Sequence, residues 1–477
     1  MVVLFTLAGC RTPTTRAGSE PREVPTGAVR ESRPILSYAD VVDSVAPAVV
    51  TIRSSKRVRA AQQFPFFDDP FFRQFFGGGV PRQRGGGGTE VQRALGSGVI
   101  VRDDGYVLTN HHVIDGAEDI RVDLNSRKTY TAKVVGSDPP SDLAVLKISA
   151  SGLSVLRLGD SDQVRVGDVC LAVGNPLGVG ESVTAGIISA KGRSTDNVGG
   201  GSFQDFLQTD APINQGNSGG ALVNTRGELI GINSQILSSN GGNIGIGFAI
   251  PSNMAKNVMG QLIGKGTVKR GMLGVGIQPV TSDLAASMGL KEARGVVVNS
   301  VTPAGPAEKA GVKTGDVILQ FNGKSVNDAN ELRNEVAANS PGSQVTLTIL
   351  RNGSQEQVRA SLGTLTPESA QAAEDQGNGG GDASAERLGI AVEPITPEIQ
   401  QQLGLRRGTQ GLVVTQVDPS GPAARDIQEG DVIQEVNRQP VRSVADFRNA
   451  LRLSGDRPPL LLINRNGRTA FIPVPLR

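Results

Sequence analysis

The sequence predicts a mainly β chain divided into several domains, and three observations lead there. Glycine and proline are abundant, at 62 and 27 residues, and tryptophan is absent. Short Val- and Ile-rich runs alternate with glycine-containing turns along most of the length, the pattern of strands rather than of helical bundles. The C-terminal part repeats itself, and 477 residues exceed what one hydrophobic core organises, so about three domains are expected.

The N-terminal segment, residues 1–34, reads as a signal remnant and a flexible tether. Its opening, MVVLFTLAGC, is apolar and ends in Leu7, Ala8, Gly9 and Cys10, which resembles the lipobox at which bacterial lipoprotein signals are cut and lipidated. Cys10 would then be the lipidated end of the mature chain, held to a membrane. No Lys or Arg precedes the apolar stretch, unlike a secretory signal with its basic start, and a chance cysteine in an ordinary N-terminus is the plainer alternative. The polar run from Arg11 to Pro34 has the composition of a tether. No other stretch is apolar over the length a membrane span needs.

From residue 35 to 264 the runs AVVTI, LGSGVIV, GYVLTN, DLAVLKI and ELIGIN mark strands of one large β domain. Between residues 54 and 92 the period breaks into paired phenylalanines among prolines, charges and glycines, which reads as a long surface insertion. Such a segment either docks on another surface or has no ordered role. Cys170, inside VCLAVG, reads as a buried core residue, and two cysteines make no disulfide framework.

Two copies of one module follow, at residues 265–362 and 386–477. Leu273, Gly274 and Val275 align with Leu388, Gly389 and Ile390. GVVVNSVTPAGPAEKAG matches GLVVTQVDPSGPAARD, and then Gly315, Asp316, Val317 and Ile318 match Gly430, Asp431, Val432 and Ile433. Each copy closes on an Arg-Asn-Gly turn, at Arg351 and Arg465. The Gly-, Ala- and Ser-rich segment 363–385 buries too little apolar surface to fold and reads as a mobile linker.

GNSGG, at Gly216 to Gly220, is the sharpest chemical signal. Small residues on both sides of Ser218 allow a tight turn that exposes the hydroxyl and aims backbone amides at one point, as acyl transfer requires. In a glycine-rich chain the same pattern is also an ordinary loop. A serine nucleophile needs a base, and the chain has two histidines, His111 and His112, after the strand-like GYVLTN. An acid must orient that base, and Asp142 in DPPSDLAVLKI precedes a buried-looking strand, with Asp138 as the alternative in the same turn.

With TNHHVI, SDLAVL and GNSGGAL in the order His, Asp, Ser, the chain resembles the chymotrypsin-like proteases of the HtrA family. The likeness extends through LGSGVIV, VGNPLGVGESVTAGIISA, GIGFAIPS and both repeats, and the Do-like (DegP-like) branch fits best because of the Phe-rich insertion and the two C-terminal modules. The resemblance implies a double β-barrel protease domain followed by two PDZ domains. It puts the catalytic base at His112, the orienting acid at Asp142 and the nucleophile at Ser218. His111 stands where the family commonly has asparagine, which leaves the assignment of the base open. The oxyanion hole would be the backbone of Gly216, Asn217 and Ser218. Carboxylate-binding PDZ loops would lie at Met272, Leu273, Gly274 and Val275, and at Leu388, Gly389 and Ile390, although packing of the second module on its neighbours is an equal alternative.

An ATP-independent serine endopeptidase of the periplasm or cell envelope is implied, acting on unfolded polypeptides and C-terminal peptides, with added chaperone activity. The Phe64 to Phe76 run would serve a homo-trimer, or multiples of trimers, or active-site control. The family preference and the absence of an acid in GINSQI point to cleavage after small or medium apolar residues. The alternatives are a regulatory protease with one target and a non-cleaving chaperone. Acidic and basic residues nearly balance, at 46 and 48, so no electrostatic case for nucleic acid arises. No cofactor is expected, and no metal, since the few His and Cys residues are poorly spaced for zinc.

Overall fold

A computed structural model describes residues 37–59, 89–175, 182–195, 202–214, 216–236, 243–366 and, with short interruptions, 384–474. Cys10 and the Phe64 to Phe76 run lie outside the described residues.

A short helix, α1 (Ala39–Val45), leads into the first of two closed barrels. That barrel comprises β1 (Val49–Arg59), β2 (Thr89–Arg102), β3 (Tyr106–Thr109), β4 (Asp119–Asp123), β5 (Thr129–Asp138) and β6 (Leu143–Ile148). Residues at both ends of the expected 54–92 insertion continue β1 and β2, which pair as far as Arg59 and Thr89. The second barrel comprises β7 (Val169–Gly174), β8 (Ser182–Arg193), β9 (Phe206–Thr209), β10 (Ala221–Asn224), β11 (Leu229–Ile236) and β12 (Gly247–Pro251). Closure leaves neither sheet an open edge and turns alternate side chains inward. Ile52, Ile100, Leu146 and Ile148 fill one interior, and Ala172, Ile188, Leu207 and Leu222 the other. Between β3 and β4 lies one helical turn, α2 (His111–Ile114), and after β12 comes α3 (Ser252–Lys265), which buries Ala255, Val258 and Leu262.

The first repeat forms a sheet in the order β14 (Val275–Pro279), β15 (Val296–Val301), β16 (Val317–Phe321), β18 (Gln344–Arg351), β19 (Ser354–Ser361), with β17 (Lys324–Ser325) on β16. A separate ladder joins β13 (Gly271–Met272) to β20 (Gly363–Thr364), inside the segment read as linker. Helices α4 (Ser282–Met288), α5 (Pro306–Lys309) and α6 (Ala329–Ala338) complete it, α6 being capped by the Asp328 carboxylate on the Glu331 amide. The second repeat orders β21 (Ser384–Ala385), β22 (Ile390–Pro394), β23 (Leu412–Val417), β24 (Val432–Val436), β26 (Leu460–Arg465) and β27 (Arg468–Pro473), with β25 (Gln439–Pro440) on β24. Its helix α7 (Val444–Leu453) opens with a reciprocal cap between Ser443 and Asp446.

The two repeats have separate cores, one around Phe321 and Leu332 and one around Phe447 and Val414. Val297 and Val317, on the outer face of the first, pack with Leu460, Leu462 and Phe471 of the second. At the repeat-equivalent outer positions the first module carries Thr346, Thr348 and Gln357. The Leu460, Leu462 and Phe471 patch therefore has no apolar counterpart in the first module.

Candidate active site

Asp142 organises the site. It ends the tight turn Pro139–Ser141 in a left-handed conformation, φ 54°, which a non-glycine residue holds only when its surroundings compensate the strain. They do so with several backbone and side-chain bonds. The Asp142 carbonyl accepts from His111 N at 3.1 Å and Asn110 Nδ2 at 3.0 Å, and its carboxylate accepts from His112 N at 3.0 Å and Ser234 Oγ at 3.0 Å. His112 Nδ1 lies 2.8 Å from Oδ2 and 3.0 Å from Oδ1. Burial pushes this carboxyl up, but the His112 charge and the bonds from His112 and Ser234 outweigh it and hold Asp142 below the usual aspartate range.

His111 and His112 share one helical turn, and the fold separates them. His112 faces Asp142, whereas His111 Nε2 lies 3.6 Å from Asp115 on the same turn. The alternative acid Asp138 is occupied elsewhere: it accepts from Arg270 Nη1 at 2.8 Å and from Ser141 Oγ.

Ser218 comes from the second barrel, in the turn before β10, and is almost wholly buried. Its hydroxyl donates to the Ser234 carbonyl at 3.0 Å. Gly219 makes this turn feasible, since a Cβ there would stand 2.1 Å from the Ser97 carbonyl and 2.3 Å from Thr109 Oγ1. Of the three residues expected to form the oxyanion hole, Asn217 donates its amide to the Asn214 carbonyl at 3.0 Å. The amides of Gly216, at φ 94°, and Ser218 make no hydrogen bond among the described residues.

Two serines that sequence reasoning passed over hold this geometry. Ser97, fully buried on β2, donates its hydroxyl to the Gly216 carbonyl at 2.6 Å, accepts from Asn175 N at 2.9 Å, and donates its amide to the Ser218 carbonyl at 2.8 Å. It ties the first barrel to the turn carrying Ser218. Ser234, on β11, touches both Asp142 and Ser218. Ser97 lay within the recognised LGSGVIV run and Ser234 within GINSQI, but neither motif says which group its hydroxyl meets.

In the repeats, Gly274 and Gly389 take left-handed conformations, and their carbonyls accept from Thr302 N at 2.9 Å and Asp418 N at 2.7 Å. The two candidate carboxylate loops are thus built alike.

Comparison with known proteins agrees with this architecture. Residues 96–232 match the trypsin-like peptidase domain, and residues 271–362 and 382–462 each match the PDZ domain. The chain is 41% identical over 444 residues to a probable periplasmic serine endoprotease DegP-like of Chlamydia trachomatis serovar D, covering 93% of this chain and 86% of the relative. It is 43% identical over 428 residues to the periplasmic pH-dependent serine endoprotease DegQ of Escherichia coli K12, covering 89% and 88%. A solved structure, the HtrA-type protease AlgW with decapeptide, superposes with a TM-score of 0.53 at 47% identity, covering 70% of this chain and 100% of that one. The chain accordingly belongs to the HtrA family, as a DegP-like serine endopeptidase whose double-barrel protease domain is followed by two PDZ domains.

Proposed function

We propose that His112, Asp142 and Ser218 are the catalytic triad and that cleavage runs through an acyl-enzyme. The observation that carries this reading is the two-point contact of His112 Nδ1 with the Asp142 carboxylate, which fixes the tautomer that leaves Nε2 to act as base. His112 takes the Ser218 proton as Oγ attacks the scissile carbonyl carbon, and the carbonyl oxygen becomes the oxyanion. The Gly216 and Ser218 amides stabilise it, each donor being worth roughly 3 kcal/mol. Collapse expels the amine with the proton from His112, and water then releases the acyl group by the same steps in reverse.

The substrates are unfolded polypeptides of the periplasm, the compartment named for the relatives. PDZ loops at Met272 to Val275 and Leu388 to Ile390 bind extended or C-terminal segments by strand addition, supported by the peptide-bound HtrA-type relatives. The holding of unfolded chains without cleavage, trimer formation through the Phe64 to Phe76 run and lipid attachment at Cys10 belong to the same proposal. Cleavage of a reduced, unfolded protein by the full chain and by Ser218→Ala tests it: turnover falls roughly a millionfold in the variant. Retained turnover refutes the nucleophile.

A further inference from the structure

We infer that the peptide edge of the second PDZ domain is held by the chain's own linker strand, while the equivalent edge of the first has no ladder partner among the described residues. The inference rests on the reading that these modules bind extended peptides. Strand β22 pairs with β23 on one side and on the other with β21, Ser384 facing Ala391 and Ala385 facing Ile390. β14 is its repeat counterpart, with Val275 and Gly276 at the positions of Ile390 and Ala391. Among the described strands it forms a ladder with β15 alone, and β27 meets it through the Gln278 side chain, which donates to the Phe471 carbonyl at 2.9 Å and accepts from Phe471 N at 2.7 Å. The strands otherwise agree closely, each carrying a register shift at the same place, between Gly276 and Ile277 and between Ala391 and Val392.

Direction identifies the occupant as a peptide mimic. The candidate carboxylate loop, Leu388 to Ile390, sits at the start of β22. An added antiparallel strand must run toward that loop, ending where a terminal carboxylate would be received. β21 runs this way, and Ala385 lies opposite the first residue of β22. Only four residues separate Ala385 from Ile390 in sequence, so the tethered strand meets its edge at an effective concentration of roughly millimolar or above. A two-residue ladder of low intrinsic affinity then suffices. If the edge is free a tenth of the time, an external peptide binds about tenfold more weakly. The linker thus sets a threshold: the first PDZ domain takes peptides directly, and the second only when peptide is concentrated or its linker is drawn away.

Hydrogen exchange on the full chain carrying Ser218→Ala tests this, with a decapeptide ending in Ala-Val-Leu and a free carboxylate as probe. The comparison variant adds Ser384→Pro and Ala385→Pro, which remove both amides of β21. In the parent, peptide slows exchange at residues 275–279, while residues 390–394 respond only at roughly tenfold higher concentration. In the proline variant, residues 390–394 exchange faster without peptide and become protected at the concentration that protects residues 275–279. Equal response of both segments in the parent overturns the inference, as does unchanged peptide-free exchange of residues 390–394 in the variant. Absence of protection at either segment in both proteins refutes peptide binding itself, and the peptide-free comparison still decides whether β21 holds the edge.

Discussion

Ser234 and Asp142 meet across the two barrels: the Ser234 hydroxyl, on β11, donates to Asp142 Oδ2 at 3.0 Å. The carbonyl of the same serine accepts from Ser218 Oγ. One residue therefore holds the Asp142 carboxylate and receives the Ser218 hydroxyl, by side chain and backbone respectively. Ser234→Ala removes only the first contact. A hydrogen bond to a charged group contributes about 1.5–3 kcal/mol, so kcat is expected to fall roughly tenfold to a hundredfold. KM for a short peptide substrate stays near its parent value, since no substrate contact is removed. An unchanged kcat would show that His112 and the backbone hold Asp142 unaided.

The turn that delivers Asp142 is braced from outside the barrels. Arg270, just before β13, pairs with Asp138 at 2.8 Å in a nearly dry setting, and its guanidinium lies 4.4 Å from the Phe203 ring centre. Phe203 N donates to the Pro140 carbonyl at 2.7 Å, on the turn itself. Arg270→Met strands the Asp138 charge, and breaking a buried pair this way costs roughly 3–5 kcal/mol. The expected result is a lower unfolding midpoint together with a reduced kcat. Asp138→Asn in the same chain restores most of the stability, because the stranded charge is gone. If the single and double variants unfold at the same midpoint, the pair is not what secures the turn.

The repeat contains a matched pair of ion pairs. Arg351 Nε donates to Asp316 Oδ1 at 2.7 Å, and Arg465 Nε to Asp431 Oδ1 at 2.6 Å; both carboxylates are almost completely buried. In each module the carboxylate also accepts a backbone amide, from Lys313 or Gln428, and the arginine reaches a carbonyl, of Gly311 or Asp426. Arg465→Leu is expected to destabilise the second PDZ domain by about 3–5 kcal/mol, against a smaller loss for Arg465→Lys, which keeps the charge without the two-point geometry. Domain-resolved hydrogen exchange reads the loss, with faster exchange across residues 388–474 and none across the first barrel. Exchange that stays slow in Arg465→Leu would show that the carboxylate finds another partner.

These pairs also mark the limit of what the sequence discloses. Gly-Asp-Val-Ile and Arg-Asn-Gly are legible as repeated signposts because their spacing recurs, but that the aspartate of one meets the arginine of the other depends on β16 lying beside β18, and β24 beside β26. The motifs around His112, Asp142 and Ser218 are legible because backbone turns with narrow residue requirements surround them. Ser234 and Ser97 are hydroxyls within ordinary strands, and only the closure of two barrels brings them to the site. Strand β21 escapes a compositional reading for a different reason. Ladder pairing uses backbone groups, so Ser384 and Ala385 can join a sheet from a segment of polar, Gly-, Ala- and Ser-rich composition.

The seam between the second barrel and the first PDZ domain holds a titrating group. Asp205 lines a cavity of about 580 Å³ with Asp162, Lys324, Glu331 and Glu335. Burial pushes its carboxyl up to about 6, helped by Asp162, Glu335 and Glu331 and opposed by Lys324. The sign follows from the raised value. Well below about pH 4 the residue is neutral in both folded and unfolded chains and has no effect. As pH rises, the unfolded chain loses this proton first, so stability falls until about pH 6 and then levels off. Asp205→Asn removes that penalty and is expected to stabilise the chain by about 1–2 kcal/mol at pH 7.5, and by only a small fraction of that at pH 4, where the unfolded carboxyl is about half ionised. Urea unfolding of the Ser218→Ala chain with and without the substitution, at both pH values, measures the difference. Equal gains at both would mean that the asparagine improves packing or hydrogen bonding and that the Asp205 charge plays no part.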